Sequence, residues 1–240
     1  MVVRTYVIGD IHGCPEELTR LVDKLPLNPA DRLVFLGDYV DRGPDSNGVI
    51  SYLIELQRTC SAELIFLKGN HEDMFLSYMG FPGKYGDMFL YNGGGATLIS
   101  YGAGPNNQGS ADILLVIPPA HIKFLKDLQP YYIVDRFLCV HAGINPRKSF
   151  EMQEEEEMLW IRDEFILNPH DLPYTVVFGH TPQEQVLFHL PYKVGLDTGL
   201  VYGNRLSCLE LAERTLFQIG RGQKEVVRRS VRDRWAKALP

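Results

Sequence analysis

Five short segments of this chain set metal-binding and proton-moving residue types beside glycine: Gly9-Asp10-Ile11-His12-Gly13, Gly37-Asp38-Tyr39-Val40-Asp41-Arg42-Gly43, Gly69-Asn70-His71-Glu72, His141-Ala142-Gly143 and Gly179-His180-Thr181. Two divalent ions roughly 3.5–4 Å apart can bind water as hydroxide while gripping phosphoryl oxygens, which suits in-line displacement at phosphorus. Such a centre needs carboxylate and imidazole ligands and an oxygen donor shared between the ions. Asp10, His12, Asp38, Asn70, His141 and His180 supply that mixture. With imidazole and carboxylate donors and no thiolate, Mn²⁺, Fe or Zn²⁺ fit better than Ca²⁺. Two divalent ions, Mn²⁺ first among the three, are the expected cofactors.

Each segment follows an apolar, strand-like run, the arrangement that delivers ligands from loops at the end of a sheet. Strands are expected at Thr5–Gly9, Arg32–Gly37 and Leu64–Leu67, with helices at Pro15–Leu25 and Ser46–Gln57 between them. The stretch Gly80–Pro119 is less regular, with short helices expected near Lys84–Leu90 and Ala96–Tyr101. Gly80–Gly109 is either a cap over the site or a peripheral packing unit. Beyond it come a helix at His121–Leu128, strands at Tyr131–Val134 and Phe137–Val140, one helix over Phe150–Phe165, and a strand at Tyr174–Phe178. Glu154–Glu157 reads as a solvated helix face. Runs at Val186–His189, Lys193–Leu196, Leu206–Leu209 and Arg214–Ile219 suggest a closing, mostly antiparallel set of strands.

The 240 residues, 45% hydrophobic, suffice for one substantial core, and a single domain over residues 1–220 followed by a basic tail over 221–240 is expected. No apolar stretch approaches the ~20 residues needed to cross a bilayer, and the N-terminal residues do not read as a signal peptide. Cys14, Cys60, Cys139 and Cys208 are widely spaced, which indicates free thiols in a reducing compartment, the cytoplasm. A net charge of −6 argues against general affinity for nucleic acid. From Arg221 onward, however, seven basic residues face two acidic ones. That stretch is either a solvated terminal helix or frayed end, or a docking site for an acidic partner.

Together the five motifs, with Leu196-Asp197-Thr198-Gly199 beyond them, resemble the pattern of the phosphoprotein phosphatase family of metallophosphoesterases. In size the chain is similar to the family's short bacterial and phage branch, and to the related symmetrical diadenosine tetraphosphatases. The resemblance implies an α/β fold, α+β in looser naming, of two packed mixed sheets flanked by helices, with the dimetal site at loops on one edge. It also implies that Asp10 and His12 hold one metal, that Asp38 bridges both, and that Asn70, His141 and His180 complete the second. A bridging position needs a carboxylate, because two cations share its charge. His71 matches the general acid, Asp41 the carboxylate that orients and charges it, and Arg42 a phosphate clamp whose planar fork of donors suits phosphate oxygens. Leu159-Trp160-Ile161-Arg162 resembles the region that supplies a second arginine, which nominates Arg162 against the alternative of a helix-surface arginine paired with Glu. Asp197 is expected to support a metal-bound histidine from behind.

In the symmetrical tetraphosphatases, alanine tends to replace the aspartate of the Asp-Arg-Gly segment, and tryptophan tends to follow the last histidine. This chain has Asp41 and Thr181. The expected activity is therefore hydrolysis of phosphate monoesters, as a serine/threonine protein phosphatase using a dimetal-bound hydroxide without a covalent intermediate. A symmetrical dinucleoside polyphosphate hydrolase or small-molecule phosphatase is the alternative. A catalytically silent binding module fits poorly, because every ligand, the acid and the first arginine are present.

Overall fold

Strict alternation along the first strands splits their side chains between two cores. The computed structural model describes residues 3–103 and 110–236. Its strands are β1 (Thr5–Ile8), β2 (Arg32–Phe35), β3 (Glu63–Phe66), β4 (Tyr131–Val134), β5 (Phe137–Val140), β6 (Thr175–Phe178), β7 (Leu187–His189), β8 (Lys193–Gly195), β9 (Arg205–Glu210), β10 (Thr215–Gly220) and β11 (Val226–Ser230). They form a six-stranded sheet, β11-β10-β9-β1-β2-β3, and a five-stranded sheet, β4-β5-β6-β8-β7. In the first, β1, β2 and β3 run parallel and β9 to β11 antiparallel; in the second, β5, β6 and β8 run parallel.

Val7, Val34 and Ile65 from the first sheet meet Cys139, Val177 and Val194 from the second in a dry layer between the sheets. Their neighbours Tyr6, Ile8, Leu33 and Phe35 face outward. There they pack on helices α1 (Pro15–Asp23), α2 (Ser46–Thr59), α3 (Asn70–Tyr78), α4 (Gly95–Ser100), α5 (Ser110–Val116) and α6 (Pro119–Lys126). Leu138, Val140, Val176 and Phe178 face the other way, towards Met158 and Phe165 of α7 (Glu155–Trp160) and α8 (Asp163–Ile166). The expected α/β architecture of two mixed sheets between helices is present.

Three expectations need correction. The helix expected over Phe150–Phe165 is broken into a 3-10 turn at Phe150–Met152, α7 and α8. Glu154 caps α7, and the Glu157 side chain accepts from the Glu154 N–H (3.1 Å), a local bond that competes with a continuous helix. The break lets α7 tie down the β5 loop, with Ala142 N donating to Met158 O at 2.7 Å. The acidic run is thus a cap and a set of anchors, Glu155 to Lys68 and Glu156 to Lys84, as well as a solvated face. Second, the closing strands are mostly antiparallel, as expected, but divided: β7 and β8 complete the second sheet, with β8 parallel to β6, while β9 and β10 join the first.

Third, the basic stretch after Arg221 is more than a terminal helix or frayed end where it is described, and residues 237–240 lie outside the described residues. Val226–Ser230 is an edge strand on β10, followed by the short helix α9 (Arg232–Ala236). Alternation was hidden there by arginines. Arg228 lies over the Phe217 ring at 5.7 Å, and charged side chains along an exposed edge oppose pairing with other chains. Of the irregular middle region, residues 104–109 lie outside the described residues. The remainder holds a 3-10 turn at Gly86–Met88, a wide turn at Leu90–Gly94 and α4.

Candidate metal centre

Six parallel strands, three from each sheet, end at one edge of the sandwich, and each hands a polar residue to the same place. Asp10 and His12 follow β1, Asp38 follows β2, Asn70 follows β3, His141 follows β5, His180 follows β6 and Asp197 follows β8. Sharp turns are needed to aim these side chains inward. Among the described residues, eight non-glycine residues have positive φ, and five of them are His12, Asp38, Asp41, Arg42 and His180. Such backbone clusters where function over-determines conformation. The neighbouring glycines are required sterically: a Cβ on Gly179 would collide with the Asp10 carboxylate, and one on Gly69 with Asp38.

Two clusters share one carboxylate. His12, Asp38 and His71 form the first, Asp38, His141 and His180 the second, with candidate ligand atoms in each within 4.8 Å of one another. Asp38 reaches His12 Nε2 at 3.4 Å with one oxygen and His141 Nε2 at 3.3 Å with the other. The Asn70 side-chain oxygen lies 3.0 Å from His141 Nε2 and 2.9 Å from His180 Nδ1. Both oxygens of Asp10 face the His180 backbone N–H, at 3.1 and 2.9 Å. All six sequence-predicted ligands are therefore brought together and buried.

The side chains fit a metal pair on three grounds. The Nδ1 atoms of His12 and His141 each sit 2.8 Å from a backbone carbonyl, Val40 and Leu36, which fixes the tautomer that leaves Nε2 with a lone pair towards Asp38. His180 Nε2 is buried without a hydrogen-bond partner among the described residues. Finally, Asp10, Asp38, Asp41, Glu72 and Asp197 are all buried around this point. Burial, together with the charges of Asp197 and Asp38, pushes the Asp10 carboxyl well up, and burial lifts Asp197 to about 6. A cluster like this calls for compensating cations.

Asp38 is the exception. Burial opposes its ionisation, yet the imidazoles of His141, His71, His12 and His180 hold it well below the usual carboxylate range. Burial lowers His12 to about 3 and depresses His141 and His180 as well, against the pull of the Asp38 charge. His71 goes the other way. Burial works against its charged form, but Asp38 and the Asp41 hydrogen bond outweigh that and raise it. Its Nδ1 lies 2.6 Å from Asp41 and its Nε2 3.9 Å from Asp38.

Arg42 places its guanidinium 2.6 Å from His12 Nε2 and over the ring of Tyr202. Arg162 is not paired with a glutamate. It is the exposed residue between α7 and α8, and it reaches the Thr181 hydroxyl at 3.5 Å, beside His180. Asp197 does not back a histidine; it accepts from the Gly199 N–H at 2.9 Å and bears on the site through its charge near Asp10.

Three supporting residues escaped the sequence reading. Glu72 accepts from the backbone N–H groups of Asp38 (2.9 Å), Tyr39 (2.8 Å), Val40 (3.2 Å) and Gly69 (2.9 Å), and so pins both the β2 and β3 loops. Its position three residues after Gly69, at the start of a helix, is a capping-box signal that could have found it. Thr97 and Ser46 hold Asp41: the Thr97 hydroxyl donates to Asp41 at 2.6 Å, and Asp41 N donates to Ser46 at 3.0 Å. Thr97 belongs to α4, and Gly93 O accepts from Arg42 N at 3.2 Å, so the irregular middle region packs directly behind the Asp41–Arg42 turn. No local pattern announces a contact across 56 residues.

Comparison with known proteins agrees with this geometry. Relatives of similar length include bis(5'-nucleosyl)-tetraphosphatase PrpE [asymmetrical] of Geobacillus thermodenitrificans, 29% identical over 89% of this chain and 92% of that protein. The protein of the same name from Bacillus thuringiensis is 28% identical over 86% and 90%. Among solved structures, a candidate diadenosine tetraphosphatase superposes with a TM-score of 0.68 at 25% identity, covering 91% of this chain and 94% of the other. A serine/threonine phosphatase from Saccharomyces cerevisiae shares the fold, with a TM-score of 0.59 at 16% identity, covering 95% and 79%. Residues 3–207 match the family described as calcineurin-like phosphoesterase. With strand-end carboxylates and imidazoles from both sheets gathered at one edge, the chain belongs to the calcineurin-like phosphoesterases as a metal-dependent phosphoesterase.

Proposed function

We propose that this enzyme hydrolyses dinucleoside polyphosphates, and that it splits a dinucleoside tetraphosphate asymmetrically into a nucleoside monophosphate and a nucleoside triphosphate. What carries the reading is the similarity, over nearly nine-tenths of the chain, to proteins named as asymmetrical tetraphosphatases, joined to a centre suited to phosphoryl transfer. The sequence alone favoured a serine/threonine protein phosphatase, because Asp41 and Thr181 depart from the symmetrical tetraphosphatases. That departure does not weigh against asymmetrical cleavage. Phosphomonoesters remain the second substrate class, since the same residues would serve them.

Two divalent ions, with Mn²⁺ the expected metal, would supply Lewis acidity and an activated water. Asp10 and His12 would hold one, Asn70, His141 and His180 the other, and Asp38 would lie between them. Arg42 and Arg162 bind the non-bridging phosphoryl oxygens. With Nδ1 held by Asp41, His71 donates a proton from Nε2 to the departing oxygen. Asp41 favours the charged ring, and Thr97 and Ser46 keep Asp41 in place. The four unpaired cysteines suit a reducing, cytoplasmic setting, and no helix among the described residues is long and apolar enough to cross a membrane.

The test is product analysis. Incubating Mn²⁺-loaded protein with diadenosine tetraphosphate should give equal amounts of ATP and AMP. Two equivalents of ADP would mean symmetrical cleavage, and turnover of a phosphoserine peptide alone would return the enzyme to the protein phosphatases.

A further inference from the structure

The edge that carries the metal loops does not end at β1. Because β9 runs antiparallel to β1, its first residue, Arg205, lies beyond the end of β1 from which Asp10 projects. Gly220 pairs with Arg205, and Val226 with Ile219, so the end of β10 and the start of β11 share that edge. Between them opens a cavity of about 810 Å³, lined among others by Arg205, Arg221, Lys224 and Arg229, with Glu225 its acidic side chain. Arg221 is paired with Glu17 at 2.7 Å. Arg205, Lys224 and Arg229 have no carboxylate partner among the described residues.

Tyr202 links the cavity to the metal centre along the chain, since the next residue, Gly203, lines the cavity. Asn204 lies on the cavity wall, while the Tyr202 ring, 63% exposed, sits 5.7 Å from the Arg42 guanidinium carbon. The turn that carries this ring is braced. Tyr202 N donates to Gly199 O (3.0 Å), Gly203 N to Leu200 O (3.0 Å) and Arg221 N to Asn204 O (2.7 Å), and Asn204 Nδ2 donates to Glu184 O at 3.0 Å. Leu200 anchors the turn in the core. An exposed aromatic ring beside Arg42, on a braced turn whose next two residues line a cationic cavity, matches the chemistry of a nucleotide: a flat base beside linked phosphates.

We propose that Tyr202 and this cavity form the subsite for the part of the substrate that lies beyond the phosphoryl group at Arg42. The base of one nucleoside stacks on Tyr202, and Arg205, Lys224 and Arg229 meet the polyphosphate charge. The subsite rests on the proposed dinucleoside polyphosphatase activity. It gives the basic stretch after Arg221 a second task besides protecting the sheet edge, and it makes the substrate itself the acidic partner.

The measurement is the ratio of kcat/KM on diadenosine tetraphosphate to kcat/KM on p-nitrophenyl phosphate, which has no nucleotide to occupy the subsite. Tyr202→Ala should lower that ratio at least about fivefold, the low end of the loss of one base–aromatic stack, with the change in KM, while Tyr202→Phe should keep it. The combined Arg205→Gln, Lys224→Gln and Arg229→Gln variant should lower it roughly tenfold. It should also weaken competitive inhibition by ATP and flatten the dependence of KM on ionic strength. Wild-type turnover of diadenosine tetraphosphate with ratios unchanged in these variants overturns the subsite alone. No turnover of it by an enzyme active on p-nitrophenyl phosphate overturns the functional reading and the subsite together.

Discussion

Replacing Glu72 by glutamine tests whether one buried carboxylate organises the centre. Glu72 Oε2 accepts from Asp38 N and Gly69 N, and Oε1 from Tyr39 N and Val40 N, all at 2.8–3.2 Å. Burial and the nearby Asp38 push its carboxyl up to about 8, while the Val40 and Gly69 N–H groups pull it down. With every oxygen facing two donors, the shell serves the ionised form. Glu72→Gln keeps the shape but turns an NH₂ towards two backbone N–H groups. At ~1–3 kcal/mol for each buried donor left unsatisfied, the cost is about 4 kcal/mol. For a domain of this length that lowers Tm by about 10 °C.

Because the disturbed amides belong to the Asp38 and Asn70 loops, metal binding should weaken as well. Calorimetry and elemental analysis of dialysed protein measure both effects. Glu55→Gln, which removes only an exposed partner of Arg58, is the control, and its Tm should stay within about 2 °C of wild type. A Glu72→Gln protein that matches this control in Tm and in metal content would refute the organising role.

Three further outcomes are expected. Chelation should abolish hydrolysis, and Mn²⁺ should restore it more fully than Ca²⁺, whose oxygen-rich shell suits this imidazole-containing set poorly; equal rescue by both ions in a rate assay would contradict the ligand assignment. Asp38→Asn should lower metal occupancy, whereas His71→Asn should retain both ions and slow phosphoserine hydrolysis by roughly 10²–10⁴. The His71→Asn defect should be smaller on diadenosine tetraphosphate and p-nitrophenyl phosphate, whose leaving groups depart as weakly basic anions; equal defects on all three would remove the proton-donor role. Gly179→Ala should cost metal binding by driving a methyl group into the Asp10 carboxylate, and an alanine variant with wild-type metal content would show that the β6 turn can yield.

The candidate ligands were legible because each lies within a few residues of a strand end, in a motif that contains glycine. Local pattern therefore carries them. The core strands were equally readable where apolar residues alternate, as in β1 and β2, and β11 was not, because arginines cover its alternation. The helix over Phe150–Phe165 was misread because its acidic residues favour helix by propensity, whereas Glu154 and Glu157 spend their side chains on a cap. Thr97 acts on Asp41 from 56 residues away and Glu72 on the Asp38 loop from more than 30, while Ser46 is near Asp41 in sequence but carries no motif that marks its role, and Tyr202 acts through its place beside Arg42. The substrate class lay outside local pattern for a related reason: the metals see only a phosphoryl group, and the surface beyond Arg42 is assembled from β9, β10 and β11.

The same geometry explains why this centre is costly to fold and worth its cost. His12, Asp38, Asp41, Arg42 and His180 adopt left-handed backbone, at ~1–3 kcal/mol each where the conformation is strained, and five carboxylates are buried around them. Neither expense is met by packing within the loops themselves. It is met by the two sheets, whose dry interface holds the six parallel strand ends in register, and by the Glu72 carboxylate, which fixes two of the six loops. Cations bound near Asp10, Asp38 and the imidazoles would offset the burial that chiefly raises Asp10 and Asp197, and the repulsion from Asp38 that adds to it. Binding to the folded chain alone at a hundred times Kd adds about 2.7 kcal/mol per independent site. Loading thus returns, at the site, part of the stability that its construction consumes.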